Sequence, residues 1–156
     1  VNVSGIIDRL DEVYDPVTKM YKIRVVDYKT GGRVFKNNVK VLEDVFDHSV
    51  EDRHSDYYLQ TMLYASLVSD DKQYNPQNLP VSPALLFIQH AAAADYDPTL
   101  CINKQKITDI KEYHDKFIKG IAELFSEILN PEIEFRPTNN RDFCKKCIYK
   151  RMCYMA

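Results

Sequence analysis

The sequence predicts an α/β fold built around one core. Two runs rich in β-branched and aromatic residues near the start predict strands, and a nearly continuous apolar run at residues 84–89 is typical of a buried strand. Two further segments, residues 57–68 and 108–129, carry apolar residues at helical spacing. A chain of 156 residues that is 45% hydrophobic and 28% charged is large enough for one such domain.

The first element is predicted to be a β-hairpin, with strands at residues 6–10 and 21–29 and a reversal at Asp15-Pro16. In the register that this turn predicts, the facing pairs are Asp15 with Met20, Tyr14 with Tyr21, Asp11 with Arg24, Leu10 with Val25, and Asp8 with Asp27. The last pair sets two carboxylates side by side, which is destabilising across a ladder. A divalent cation with oxygen ligands would remove that cost.

Strand parity adds a lysine to this pair. Asp27 and Lys29 are two residues apart and point to one face, while Tyr28 points to the other. The pattern favours a metal site, but an exposed hairpin that carries Asp and Lys for solubility explains the same spacing. Both interpretations stay open on the hairpin alone.

The middle of the chain is predicted to hold a short strand or helix at residues 39–46 and a helix at residues 57–68. The buried stripe of that helix is predicted to be Leu59, Met62, Leu63 and Leu67. Gln60 and Tyr64 are four apart and share one face. Their spacing alone is explained by an ordinary helix edge.

The second half adds the buried strand at 84–89, a short strand at 99–103 and the long helix at 108–129. Thr108 or Asp109 is the predicted N-cap, and Asn130-Pro131 ends the helix. His90, after the apolar strand, is interpreted as a structural residue. Cys101 is interpreted as a buried free thiol.

The tail carries Cys144, Cys147 and Cys153, that is C-x2-C and a third cysteine six positions on. This spacing is typical of metal ligands, because neighbouring thiolates can reach one centre. Disulfides are disfavoured, since nothing indicates secretion. Three thiolates do not complete a tetrahedral site. We divide the chain into a core, residues 1–136, and a cysteine-bearing tail, residues 137–156.

The net charge of −2 is not that of a protein that grips DNA mainly through phosphate contacts. Local positive charge occurs in two clusters, Lys104 with Lys106 and Lys145, Lys146, Lys150 with Arg151, although a solvated charged surface better explains either cluster taken alone. No apolar run is long enough to span a membrane and no signal peptide opens the chain, so a cytoplasmic location is expected. Since the chain begins at Val1, we expect it to be a segment of a longer polypeptide.

Together these residues resemble the RecB-like branch of the PD-(D/E)xK nuclease superfamily, most closely the nuclease domains of AddB-type helicase–nuclease subunits. Four blocks occur in family order: GIIDRLD at 5–11, VVDYKTG at 25–31, LQTMLYA at 59–65, and the cysteine tail. The similarity spans nearly the whole chain. It implies a restriction-endonuclease-like core, with a mixed central sheet flanked by helices.

The resemblance also implies roles for the site residues. The acids matching Asp8 and Asp27 bind Mg²⁺ or Mn²⁺, with the peptide carbonyl of Tyr28 as a further ligand. The lysine matching Lys29 orients or activates the attacking water. The residues matching Gln60 and Tyr64 contact DNA or the catalytic groups.

The implied function is a metal-dependent DNA exonuclease within a helicase–nuclease for double-strand break repair. Its partners would be DNA and either helicase domains or a partner subunit. The alternative of the same fold is an inactive DNA-end-binding or scaffolding module, which has no need of Asp8, Asp27 and Lys29 together. A small zinc-stabilised interaction domain would explain only the tail.

The chain departs from the family pattern at its front. Relatives carry helices before the first catalytic strand, often with a metal-binding histidine, and cluster-bearing members carry a first cluster cysteine there. This sequence has none of these. A 4Fe-4S cluster on Cys144, Cys147 and Cys153 would therefore be completed in a longer parent and incomplete here.

Overall fold

The computed structural model describes residues 5–30, 38–47, 55–134, 138 and 141–153. Its strands are β1 (Arg9–Asp15), β2 (Met20–Lys29), β3 (Asn38–Val39), β4 (Val81–Phe87), β5 (Cys101–Ile102) and β6 (Gln105–Lys106). Its α-helices are α1 (Ser55–Asp70), α2 (His114–Leu129) and α3 (Arg141–Lys146). Three strands precede α1 and three follow it, and α2 and α3 come last.

The main sheet has the order β1-β2-β4, with β2 at its centre. β1 is antiparallel to β2, whereas β4 is parallel to it. A smaller sheet, β3-β5-β6, combines one parallel and one antiparallel pair. Both sheets are therefore mixed, and the predicted mixed sheet with flanking helices is confirmed.

The hairpin register is the predicted one. Pairing runs from Asp15 with Met20 to Arg9 with Val26. The reversal is stabilised by the Asp15 carboxylate, which accepts the backbone N–H of Val17 at 2.9 Å. The predicted start of the first strand at Ile6 is wrong, because the ladder with β2 ends at Arg9.

The main core lies between β2, β4 and α1. Its fully buried members include Val25, Val81, Leu85, Tyr58, Met62 and Ala65. The predicted stripe of α1 is partly wrong: Leu67 is exposed, while Thr61 and Ser66 are buried. Small side chains let the helix lie close to the sheet, and a helix with apolar residues on most sides does not reveal its buried face by spacing alone.

The predicted long helix is interrupted near its start. A 3₁₀ turn covers Ile110–Glu112, and α2 begins only at His114. Asp109, one of the two predicted caps, is the N-cap of this 3₁₀ turn, whereas Tyr113 is that of α2; the Asp109 carboxylate accepts the N–H of Lys111 at 3.2 Å and that of Val81 at 3.3 Å. The hydrogen bond from Val81 ties the cap of this turn to β4, and Tyr113 lies between the turn and the start of α2 at His114.

The segment after β4 supports the outer edge of that strand. The Tyr96 hydroxyl donates to the Leu85 carbonyl at 2.9 Å and accepts the Phe87 N–H at 2.8 Å. Thr99 forms a β-bridge with Ala84. Cys101 is a free thiol, as predicted, but it is half-buried instead of buried, and burial raises its pKa.

The ion pair between Asp97 and Lys106 predicts an acid-sensitive contribution to stability. Burial acts to raise the pKa of Asp97, but hydrogen bonds from Lys106 and Thr99 outweigh it and lower the pKa from 3.8 to about 2. Folding therefore favours the carboxylate, so the stabilisation is complete above about pH 4 and is lost as the pH falls toward about 2. The effect is small, because the pair is exposed to solvent.

Asp97→Asn is therefore expected to flatten the fall in Tm over this pH range. Thermal unfolding of the parent and the variant at a series of pH values measures it, with Asp95→Asn as the matched control. Parallel Tm curves for the parent and Asp97→Asn would contradict the assignment.

Candidate active site

The end of β2 carries the two charged residues that the hairpin pattern predicts. Asp27 and Lys29 lie on one face of β2, opposite Leu85 and Phe87 of β4. β2 pairs with β4 as far as Lys29, and on its other edge the Asp8 carboxylate accepts the Tyr28 N–H, so the backbone is held on both edges at this point. Asp27 is 4% exposed, and the Lys29 side chain is 15% exposed. The site is therefore a largely buried ion pair.

Three groups surround the Lys29 ammonium. Its nitrogen lies 2.5 Å from Asp27 Oδ2, 3.3 Å from Gln60 Oε1 and 4.3 Å from the centre of the Tyr57 ring. The contact with Asp27 has the distance of an ion pair, but Oδ2 has no aligned hydrogen bond among the described residues. The Asp27 carboxylate and the Lys29 ammonium therefore form a buried charge–charge contact.

Asp8 reaches the same end of β2 from the neighbouring chain segment. It lies one residue before β1, and its Oδ2 accepts the Tyr28 N–H at 2.8 Å. This bond places the Asp8 carboxylate beside the peptide that joins Asp27 to Tyr28. The predicted Asp8–Asp27 pair thus lies just outside the ladder, and Asp8 meets the backbone next to Asp27.

The opposite face of the hairpin carries a separate charged group. Arg9 donates through Nε and Nη2 to the Asp11 carboxylate at 2.6 Å each, and through Nη1 to the Tyr28 hydroxyl at 3.2 Å. The hydrogen bond from Arg9 holds the pKa of the Asp11 carboxyl below its ordinary value. These contacts hold the Tyr28 side chain away from Lys29, on the face that strand parity predicts.

The structure places Gln60 and Tyr64 of α1 against this site. Gln60 accepts from Lys29 through its oxygen and donates to the Tyr64 hydroxyl through its nitrogen at 3.4 Å. The two residues continue the polar contacts of Lys29 along α1. Sequence reasoning missed Tyr57, although it lies three positions before Gln60 and so shares its helix face.

Gly5 is a second residue that the sequence did not single out. A Cβ atom at this position would overlap the Tyr64 hydroxyl oxygen. Gly5→Ala is therefore expected to push the Tyr64 ring aside and break its hydrogen bond with Gln60. A net hydrogen bond contributes about 1 kcal/mol, so the rate of the reaction at this site should fall roughly fivefold.

The test is a double-mutant cycle of Gly5→Ala with Tyr64→Ala, in which the reaction rate and the Tm of each variant are measured. In the Tyr64→Ala background the added methyl group has room, so Gly5→Ala should then have no further effect on the rate. Additive rate losses would show that Gly5 acts by another route.

The residues at this site fit a hard divalent cation. Two carboxylates and one ammonium leave one net negative charge, and carboxylate oxygens are the ligands that hard divalent cations prefer. The described part of the chain holds no group of three or more His, Cys, Asp or Glu side chains that could hold a metal ion. Mg²⁺ does not require one, since it is commonly bound by one or two carboxylates and keeps several waters.

The three tail cysteines lie in different parts of the tail. Cys144 lies in α3, Cys147 follows it, and Cys153 lies in a later turn and is exposed. Within the ranges that the structure describes, they do not form a group able to hold a metal ion. Thiolate sites assemble together with their metal, so a cluster on these cysteines stays a prediction.

Fold and site together define an α/β domain with an acidic, lysine-bearing centre at the end of its central strand. The chain matches the family model of the PD-(D/E)XK nuclease superfamily over residues 1–154. No significant match is found among curated proteins or among solved structures. Because the family match covers nearly the whole chain, the protein belongs to the PD-(D/E)XK nuclease superfamily.

Membership agrees with the architecture. The mixed sheets flanked by helices are consistent with the restriction-endonuclease-like fold of this superfamily, so the predicted fold class is confirmed. Membership indicates nuclease activity, and nucleases of this superfamily usually use Mg²⁺ or Mn²⁺. In the described ranges, no helix is both long enough and apolar enough to cross a membrane.

Proposed function

We propose that the protein is the nuclease domain of an AddB-type helicase–nuclease in the RecB-like branch. It would act as a Mg²⁺- or Mn²⁺-dependent DNA exonuclease in double-strand break repair, in the cytoplasm, together with helicase domains or a partner subunit. The observation that carries the proposal is the cluster of Asp8, Asp27 and Lys29 at one end of β2.

The proposed ion ligands are Asp8, Asp27 and the peptide carbonyl of Tyr28. The bound ion would polarise the phosphoryl oxygen and lower the pKa of a bound water. Lys29 would offset the negative charge that develops on the phosphoryl oxygens, which is an electrostatic role. Gln60 and Tyr64 would hold the Lys29 ammonium in position and contact the DNA. An acidic site of this kind need not repel DNA, since the ion reverses its local charge.

The experiment that tests the proposal compares linear duplex DNA with a covalently closed circle of the same sequence. With Mg²⁺ or Mn²⁺ the protein should shorten the linear DNA from its ends, and it should leave the circle intact. Chelation by EDTA should stop the reaction. Cleavage of the closed circle at the same rate would contradict an exonuclease.

The second candidate is an inactive DNA-end-binding module of the same fold. The buried charge of Asp27 and Lys29 speaks against it, because DNA binding alone has no need of a costly buried ion pair at the strand end. Binding to DNA ends without any cleavage, in either metal, would favour this second candidate.

The cysteine tail is proposed to bind its cluster within a longer parent polypeptide that contains this chain. In that parent a fourth cysteine would complete a 4Fe-4S cluster on Cys144, Cys147 and Cys153, and residues 137–156 would close onto the core, residues 1–136. An anaerobically purified parent should then be brown, and Cys147→Ser should bleach it and destabilise the domain. A colourless parent with stoichiometric zinc would overturn the cluster and leave the nuclease site untouched.

A further inference from the structure

We propose that Tyr57 is a positioning residue, whose ring face holds the Lys29 ammonium at the site. The inference deepens the proposed nuclease function and rests on it for its effect on the rate. The central observation is the 4.3 Å distance between Lys29 Nζ and the centre of the Tyr57 ring. An ammonium within about 6 Å of an aromatic face is attracted by the negative charge of that face.

Tyr57 lies on the face of α1 that is turned toward Lys29. Tyr57, Gln60 and Tyr64 are spaced by three and four residues and form one face of the helix. Gln60 of this face already accepts from Lys29 at 3.3 Å. The ring and the amide oxygen therefore approach the ammonium from the same helix, while Asp27 approaches it from β2.

The dipole of α1 does not stabilise the ammonium. Tyr57 lies in the first turn of α1, and a helix N-terminus carries positive partial charge that disfavours a nearby cation. The negative face of the Tyr57 ring lies against the ammonium and offsets this unfavourable field. Since the Lys29 side chain is only 15% exposed, water screens the ring–cation attraction weakly.

The charge balance at Asp27 gives the ring its role. In the proposed site, the Asp27 carboxylate faces both the Lys29 ammonium and the divalent ion, and two cations that share one carboxylate repel each other. Gln60 and Tyr57 are the neighbours of Lys29 whose attraction does not depend on that carboxylate. Without the ring, the ammonium would be held by one amide oxygen at 3.3 Å and would sample positions away from the site.

The contact is measured without metal and without DNA. In a carbon–proton NMR spectrum, the ring current of Tyr57 should move the Lys29 ε-CH₂ signal upfield of the other lysines. Lys29→Arg assigns the signal by removing it. Tyr57→Phe keeps the ring and should keep the shift, whereas Tyr57→Leu should return the signal to the ordinary lysine position. Tyr57→Met serves the same purpose if Tyr57→Leu does not fold.

Kinetics then test the positioning role. A ring–ammonium attraction of this kind corresponds to about tenfold in rate, so Tyr57→Leu should lower kcat about tenfold with KM for linear DNA within about twofold. Tyr57→Phe should keep most of the parent kcat, and Tyr74→Leu, at an exposed tyrosine in a loop, should keep all of it. A purely structural role would lower Tm without separating leucine from phenylalanine in this way.

The outcomes separate the two proposals. An unshifted Lys29 signal in the parent, or equal kcat for folded Tyr57→Leu and Tyr57→Phe, overturns the role of Tyr57. If the parent cleaves no DNA, the proposed nuclease function fails, while the NMR shift still decides whether the ring holds the ammonium.

Discussion

Asp27→Asn is expected to abolish divalent-ion binding and DNA cleavage together. Asparagine keeps the shape of the side chain but removes the charge that the proposed ion site needs. Metal catalysis contributes several kcal/mol to such reactions, so the rate should fall by at least about 10³-fold. Mn²⁺ titration followed by electron paramagnetic resonance measures the binding, and end-labelled linear DNA measures the rate.

Two further variants show whether Asp27→Asn loses ion binding and cleavage through the missing charge or through a destabilised fold. Glu12→Gln removes one exposed carboxylate from the middle of β1, four residues from Asp8, and should leave ion binding and the cleavage rate unchanged. Asp27→Asn combined with Lys29→Met removes both members of the buried pair, so it should be more stable than Asp27→Asn alone and equally inactive. Metal-dependent cleavage at the parent rate by Asp27→Asn would refute the ion site.

Lys29→Met separates chemistry from ion binding. An ammonium is not a metal ligand, and its removal takes a positive charge away from Asp27, so Mn²⁺ should bind at least as tightly as to the parent. The rate should nevertheless fall about 10²- to 10³-fold, because a preorganised positive charge at the phosphoryl group is lost. Single-turnover cleavage at saturating Mn²⁺ measures this fall.

The matched control is Lys22→Met on the same strand. Lys22 lies near the turn of the hairpin, where its amine is 3.7 Å from the Asp15 carboxylate. Its loss changes the net charge by the same amount and should leave the rate unchanged. An equal loss of rate in both variants would mean that Lys29 acts only through the overall charge.

Much of the fold could be predicted from local patterns. The hairpin register followed from one turn and from pairs such as Tyr14 with Tyr21, whose ring centres are 5.3 Å apart. Asp109 could be predicted as a cap, because capping depends on residues next to each other in sequence. The parallel pairing of β4 with β2, the buried face of α1 and the break before α2 depend on tertiary contacts that no local pattern reports.

The site residues likewise divide into those that local patterns predict and those that depend on tertiary contacts. Asp27 and Lys29 lie on one strand, so strand parity places both on one face. The position of Asp8 could be predicted only approximately, since it leaves the ladder and bonds to the Tyr28 backbone. The contact of Tyr57 with Lys29 required the packing of α1 on β2, which the spacing of residues in α1 does not contain. The arrangement of the tail cysteines likewise depends on more than their spacing.

The sequence separation of the site contacts has a consequence for how the protein folds. Asp8 and Tyr28 are 20 positions apart within one hairpin, a structure of the kind that forms within microseconds. Lys29 and Gln60 are 31 positions apart, and Ser82 on β4 bonds to Ile23 on β2 across 59 positions. Contacts across longer stretches of chain form later, because more chain entropy is lost in closing them. The acidic half of the site is thus expected to exist on the nascent hairpin before α1 and β4 enclose its lysine.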